Sequence, residues 1–288
     1  MNHVNNATVR ESGSAITVGE VRAALEAAYP PHLAESWDRV GLICGDPQAP
    51  VDTVAFALDC TQAVAERAVE MGAQMLVVHH PLLLRGVHSV AADTPKGRVI
   101  HTLIAGGVAL MAAHTNADSA RPGVNDRLAE LVGITPGRPI RPTDPHAERL
   151  DEATGLGRIG TLPAAMPLKD FVQQVANALP TTAWGVRAAG DPEQMVRTVA
   201  VSSGSGDSFL DAVRELDVDV YVTSDLRHHP VDEYLRAGGP AVIDTAHWAS
   251  EFPWTQQAAQ IVADRTGLRT EVIDIRTDPW TLSAHPQG

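Results

Sequence analysis

Residues 74–80 read QMLVVHH, and Pro81 follows them. A short apolar run of this length predicts a buried strand, and it ends on two imidazoles and a residue with no backbone donor, so the strand stops where the polar groups begin. The same construction stands on either side. VDTVAFALD at 51–59 and VALMAAH at 108–114 are further apolar runs, and amphipathic segments near 61–71, 96–106 and 124–132 follow the three in turn. This alternation is the pattern of βαβ units around a mostly parallel sheet. Beyond a Pro- and Gly-rich stretch at 135–157, the best internal boundary, a second series opens with RIGTLP at 158–163. It continues with a helix near 168–179 and strands VRTVAVSS at 196–203 and VDVYVTSD at 218–225. A helix near 231–237, the strand PAVIDTAH at 240–247, a helix near 249–266 and the strand RTEVIDI at 269–275 close the chain. The predicted fold class is α/β, with mixed, largely parallel sheets flanked by helices.

The chain has 288 residues, 44% hydrophobic and 20% charged, enough to bury a core in one to two domains. A formal net charge of −13 sets the surface against phosphate backbones and anionic membranes, so nucleic acid is a disfavoured partner. Cys44 and Cys60 are the two cysteines and form no CxxC pair, which points to neither a disulfide framework nor a thiolate metal site and fits a reducing cytoplasm. The opening residues lack a signal-peptide core, and no apolar run approaches the roughly 18 residues of a membrane span. The expectation is a soluble cytoplasmic protein with loose ends.

Three strands end in polar clusters: VVHHP, AAHTNAD and DTAHWASE. Open α/β sheets bind ligands outside the carboxyl ends of their strands. Imidazole and carboxylate together are ligands for zinc, manganese or non-haem iron. His79 and His80 can reach one site only because Pro81 ends the strand; the plainer reading is a pair of surface or core histidines. Asp118 stands four residues after His114, in a turn expected at Thr115 and Asn116, where it could bridge two metals or simply stabilise the turn. His114 is either a further ligand or a residue that orients one. His247 and Glu251, four apart at a helix start, share one face and can converge on an ion.

Other features carry two readings each. Asp225, His228 and His229 in VTSDLRHHP lie at a strand end, as substrate contacts or as surface. In VSSGSGDSF (201–209), Gly204, Ser205 and Gly206 form a loop that could cradle a phosphate, or a tight turn with Asp207 as helix cap. Trp37 is expected in the core.

The ordered set ESWDRVGLICGD, HHPLLLRGV, HTNADSARPGVND, VSSGSGDSF, TSDLRHHP and AHWASE resembles the Nif-three-like family, whose members include GTP cyclohydrolase type 2 homologues. The resemblance runs along nearly the whole chain. It implies two α/β domains with a dinuclear metal centre in the cleft between them, and a ring-like homo-oligomer, commonly a hexamer. Carried over by position, the metal ligands are His79, His80, Asp118, His247 and Glu251, the residues already picked out by type and spacing. The implied division is a first domain of 15–128 and 230–277, an inserted second domain of 129–229, and tails at 1–14 and 278–288. Some relatives carry a further domain in the middle, for which this chain is too short. Departures are Ala117 where the family has Leu, Ala246 and Trp248 around His247 where it has Gly and Tyr, and Ser224 where it has Gly. No implied ligand is lost, but the fit of any substrate known for relatives is put in question.

The leading functional expectation is a hydrolase using two divalent ions (zinc, manganese or iron) on a small-molecule substrate, with a nucleotide the implied class. His114, His228 and His229 are the candidates for general acid or base. A non-catalytic metal-binding scaffold is the rival, and nucleic-acid processing a weaker third reading.

Overall fold

The first three predicted strands send alternate side chains into two separate cores. In the computed structural model, which describes residues 15–284, β2 (Thr53–Ala57), β3 (Met75–Val78) and β4 (Ala109–Ala112) run parallel, with Val54 opposite Met75 and Met75 opposite Ala109. Val54, Phe56, Met75, Val77 and Met111 face α1 (Val18–Ala28) and α10 (Trp254–Thr266). Ala55, Ala57, Leu76, Val78 and Leu110 face α2 (Gln62–Glu70) and α3 (Pro95–Ala105). Helices on both faces explain why these strands are apolar throughout. An antiparallel edge, β1 (Gly41–Cys44), and a parallel one, β12 (Arg269–Val272), complete the order β1-β4-β3-β2-β12. Helix α1 starts at a capping box: Thr17 Oγ1 accepts the Glu20 N–H, and the Glu20 carboxylate accepts the Thr17 N–H.

After β4 come α4 (Thr115–Ser119) and α5 (Val124–Val132), which ends on Gly133 at φ 93°. A small hairpin, β5 (Arg141–Pro142) with β6 (Gly155–Leu156), bridges the expected boundary stretch. The second sheet follows from β7 (Arg158–Pro167), α6 (Leu168–Ala178), β8 (Val186–Ala189), β9 (Met195–Ser205), α7 (Leu210–Arg214), β10 (Val220–Ser224), α8 (His228–Arg236) and β11 (Ala241–Thr245). Its order is β7-β9-β10-β11-β8, with β9, β10 and β11 parallel and both edges antiparallel. Helices α5 and α6 cover one face and α7 and α8 the other. The chain returns through α9 (His247–Glu251) to α10. The expected single helix over 249–266 is therefore two, parted at Phe252 and Pro253, because proline has no N–H to continue the ladder.

The sheets correct three expectations of chain division. Strand β11 pairs with β10 from Val220↔Ala241 to Ser224↔Thr245, so the return to the first sheet follows α9 and does not begin at 230. Helix α5 shares its core with the second sheet, through Leu128, Ala129 and Val132, so it straddles the boundary expected at 128. The end is not loose from 278: Asp278 is buried, and Trp280 packs against Trp184 with ring centroids 5.8 Å apart. The expected tail at 1–14 and residues 285–288 lie outside the described residues.

Candidate metal centre

Leu58, just past β2, decides how two adjacent histidines reach one place. Its carbonyl accepts both the His79 N–H (3.1 Å) and the His80 N–H (3.0 Å), curling the end of β3 so that the two rings lie 5.0 Å apart. His79 is fully buried and His80 partly exposed. Asp118 enters from α4, a one-turn helix where a turn was expected, and Ser203 Oγ donates to its Oδ1 at 3.2 Å. From the other domain α9 brings His247 and Glu251, one turn apart.

Their ligand atoms converge. Glu251 Oε1 lies 3.7 Å from His79 Nε2, and that Nε2 lies 3.6 Å from Asp118 Oδ1. Glu251 Oε2 lies 2.9 Å from His80 Nε2 and 3.1 Å from His247 Nε2. Ligands held about 2 Å from one ion stand roughly 3–4 Å from each other, so both groups have the spacing of a metal site. The carboxylate common to the two groups is Glu251; Asp118, expected as a bridge, joins only the His79 group. His114 comes within reach of His79 and His80 as well.

The outer nitrogens show why every ring faces inward. Nδ1 of His79 bonds the Ala113 carbonyl (2.8 Å), that of His80 bonds Asp59 (2.7 Å), that of His114 bonds Asp38 (2.9 Å) and that of His247 bonds Asp225 (2.7 Å). With Nδ1–H donated outward, each Nε2 points to the centre, where the neutral ring would offer a metal its lone pair. His79 Nε2 is buried with no hydrogen-bond partner, a cost of about 1–3 kcal/mol that a bound cation would remove. The donor set and this unsatisfied nitrogen fit a divalent metal.

The electrostatics agree. Burial raises the Asp118 carboxyl pKa. Burial would raise Glu251 too, but His247, His80 and His79 hold it well below the usual carboxylate range. Glu251 in turn pushes His247 up to about 11 against burial. Burial alone would lower His80, yet Glu251 and Asp59 push it up to about 10. Protons and a dication compete for the same lone pairs.

Two neighbours clear and brace the space. Gly204 sits at φ +60°, and a Cβ there would stand 2.2 Å from Glu251 Oε1 and 3.1 Å from His247 Nε2. The suspected phosphate loop is thus the end of β9, with glycine required by the close approach of Glu251, and Asp207 pairs with Arg227 inside a short 3-10 turn instead of capping. Asp225 has φ 58°, the one positive φ of a non-glycine among the described residues. Asp is among the few residues that tolerate this region, and such outliers gather at functional sites.

His228 and His229 are not brought to the centre. They stand exposed at the start of α8, and His228 lines a separate cavity with Arg187 and Asp232. Asp225 in its left-handed conformation directs its own carboxylate at His247, whereas the side chains of His228 and His229 are exposed. Trp37 is not in the core either: 53% exposed, it stands edge-on to His114 at 5.9 Å. Both line or flank a cavity of about 510 Å³ over the ligand cluster, with Arg141 and Ser202, Ser205 and Ser208 on its walls. Sequence reasoning missed Asp38 and Asp59; Asp59 follows the apolar run of β2, so the strand-end rule that found the histidines was the available signal.

A GTP cyclohydrolase 1 type 2 homolog of Streptomyces coelicolor is 50% identical over 272 residues, covering 92% of this chain and 93% of that one. A protein of the same name from Mycobacterium tuberculosis is 39% identical over 377 aligned positions, covering 95% and 98%; at that length it carries residues this chain lacks. Among solved structures, a Bacillus cereus protein related to NIF3 superposes with a TM-score of 0.86 over 94% of this chain and 100% of that one, at 24% identity, a likeness of fold. The model of the Duf34/NIF3 (NGG1p interacting factor 3) family matches residues 16–279, and the chain belongs to that family.

Proposed function

We propose that this protein is a metal-dependent hydrolase with a dinuclear centre, acting on a nucleotide or related small molecule. One observation carries the reading: the two oxygens of Glu251 divide between a His79–Asp118 group and a His80–His247 group, while each imidazole is locked with Nε2 inward. One ion would be held by His79, Asp118 and Glu251, the other by His80, His247 and Glu251. Such ions lower the pKa of bound water and polarise the group under attack.

The chain's own residues supply the rest. His114, braced by Asp38, faces the cavity beside the ligands and serves as the proton-transfer group. Arg141, ion-paired with Glu35 at 2.6 Å on the cavity wall, would take an anionic group by exchanging that partner, and the exposed Trp37 ring offers a face for a planar one. The relatives' name supports a nucleotide as the class to try first. A homo-oligomer, a hexameric ring by family resemblance, belongs to the same proposal and is checked by light scattering.

The test is elemental analysis of the parent and of folded His80→Ala and Glu251→Ala variants, followed by a hydrolysis screen over nucleotides and phosphoesters. Two ions per chain, lost in both variants, with turnover of a nucleotide, is the expected result. No uptake of zinc, manganese or iron would overturn the metal reading. Full loading without turnover would favour the non-catalytic scaffold.

A further inference from the structure

We infer that Thr277 is a positioning residue for His80, and that residues 277–280 form a strap tying this imidazole to the second domain. The inference rests on the reading of His80 as a metal ligand. Thr277 Oγ1–H donates to Oδ2 of Asp59, whose Oδ1 holds His80 Nδ1 at 2.7 Å. A carboxylate with one oxygen fixed by a hydroxyl cannot turn, so its other oxygen stays aimed at the Nδ1–H. Nε2 then stays directed at Glu251. Groups that fix a ligand imidazole in this way matter about 10–100-fold for metal affinity.

What holds Thr277 lies across the cleft. The chain leaves the first sheet after β12, buries Asp278, and lays Trp280 on Trp184 just before β8. Arg187 lies over the Trp184 ring at 4.5 Å and bonds Asp244 of β11 at 2.8 Å. The strap is thus anchored on the first sheet through Thr277 and Asp59, and on the second through Trp280, Trp184 and Arg187. Beneath it is a cavity of about 390 Å³ whose walls include His80, His247, Trp248 and Trp280. His80 and His247 therefore stand between this cavity and the open cleft, and the strap roofs the side from which Asp59 reaches in.

The experiment compares full-length parent, Thr277→Val, Thr277→Ser and Trp280→Ala, each confirmed folded by circular dichroism. Zinc affinity is measured by competition with a chelator, and the His80 ring ¹⁵N shifts are recorded on metal-free protein. The expected result is a loss of about tenfold or more in zinc affinity for Thr277→Val, parent affinity for Thr277→Ser, and a smaller loss for Trp280→Ala. In metal-free Thr277→Val, the His80 Nδ1 ¹⁵N shift should move away from the parent's as its bond to Asp59 loosens. Trp280 is 57% exposed, so its truncation tests the strap even where Thr277→Val fails to fold. Unchanged affinity together with unchanged His80 signals in the folded variants would overturn the inference. A parent that binds no zinc would overturn the metal reading, and the ¹⁵N comparison would still decide the role of Thr277.

Discussion

Gly204 and Gly238 make a matched pair that separates two uses of glycine. Both have positive φ, +60° and +82°, but a Cβ on Gly238 meets nothing within 4 Å, whereas one on Gly204 runs into Glu251 and His247. Gly238→Ala should cost roughly 1 kcal/mol for the left-handed backbone. Gly204→Ala should add about 1–3 kcal/mol of overpacking and lose bound metal as well; urea denaturation with metal analysis of both variants checks this, and equal effects would sink it. Arg158 gives a prediction away from the site. It is fully buried, pairs with Asp126 at 2.7 Å and donates to the carbonyls of Ala120, Gly155 and Gly157. Arg158→Met would leave the buried Asp126 with Arg121, 3.9 Å away, as its remaining cation and should cost about 3 kcal/mol, read from the denaturation midpoint. At this scale the ligands were legible because imidazole and carboxylate at strand ends declare their chemistry. Asp38 and Asp59 were not, because each acquires its role from an imidazole 76 or 21 residues away. The 201–209 segment suggested a phosphate cradle because spacing alone does not reveal that Glu251 stands opposite Gly204.

Strands and helices with a full apolar face were legible as elements: β2, β3, β4, β9, β10 and β11 all fall inside their predicted runs or within about two residues of them. Two of the edge strands, β1 and β8, were not, although the edge strand β12 falls inside the predicted run at 269–275. β1 is four residues long, and β8, VRAA, exposes Arg187 and Ala188, so neither shows the continuous burial that marks a central strand. Helix α1 had a readable signal in Thr17 and Glu20, which sequence reasoning passed over. The end of β2 yields a prediction. Burial pushes the Cys60 thiol up to about 12. An exposed cysteine ionises near pH 8.5, so its alkylation levels off above that value. Cys60 in the native chain should label slowly at pH 8 and keep accelerating about tenfold per pH unit beyond it, followed by iodoacetamide and mass spectrometry. The sign for stability follows: the native state holds this proton while the unfolded thiol ionises, so the Cys60 contribution is present below about pH 8.5 and declines above it. A labelling plateau near pH 8.5 would show that Cys60 is accessible.

The whole molecule places two sheets so that the ends of β3 and β4 in one, and the segment after β11 in the other, meet at the ligand cluster. Where the chain passes between the sheets was the least legible feature. Apolar periodicity marks β11 as a strand but does not say which sheet receives it; that is decided by pairing with β10, residues 220–224 against 241–245. The consequence is mechanical. His79, His80 and Asp118 extend from elements of the first core, while Glu251 and His247 lie on α9, whose Trp248 and Ala249 belong to the second. A metal ion held by both sets fastens the domains to each other and binds only when they are folded together. An ion supplied at about 100 times its dissociation constant contributes about 2.7 kcal/mol, and in a chain of this size about 1 kcal/mol shifts Tm by roughly 2–4 °C. Loading with zinc or manganese should therefore raise Tm by about 5–10 °C over chelator-treated protein. Glu251→Gln weakens the one carboxylate that both ligand groups use, and should abolish most of that shift. Scanning calorimetry with and without chelator decides it. A metal-dependent shift that survives in Glu251→Gln would mean that the ions stabilise the chain from somewhere other than this cleft.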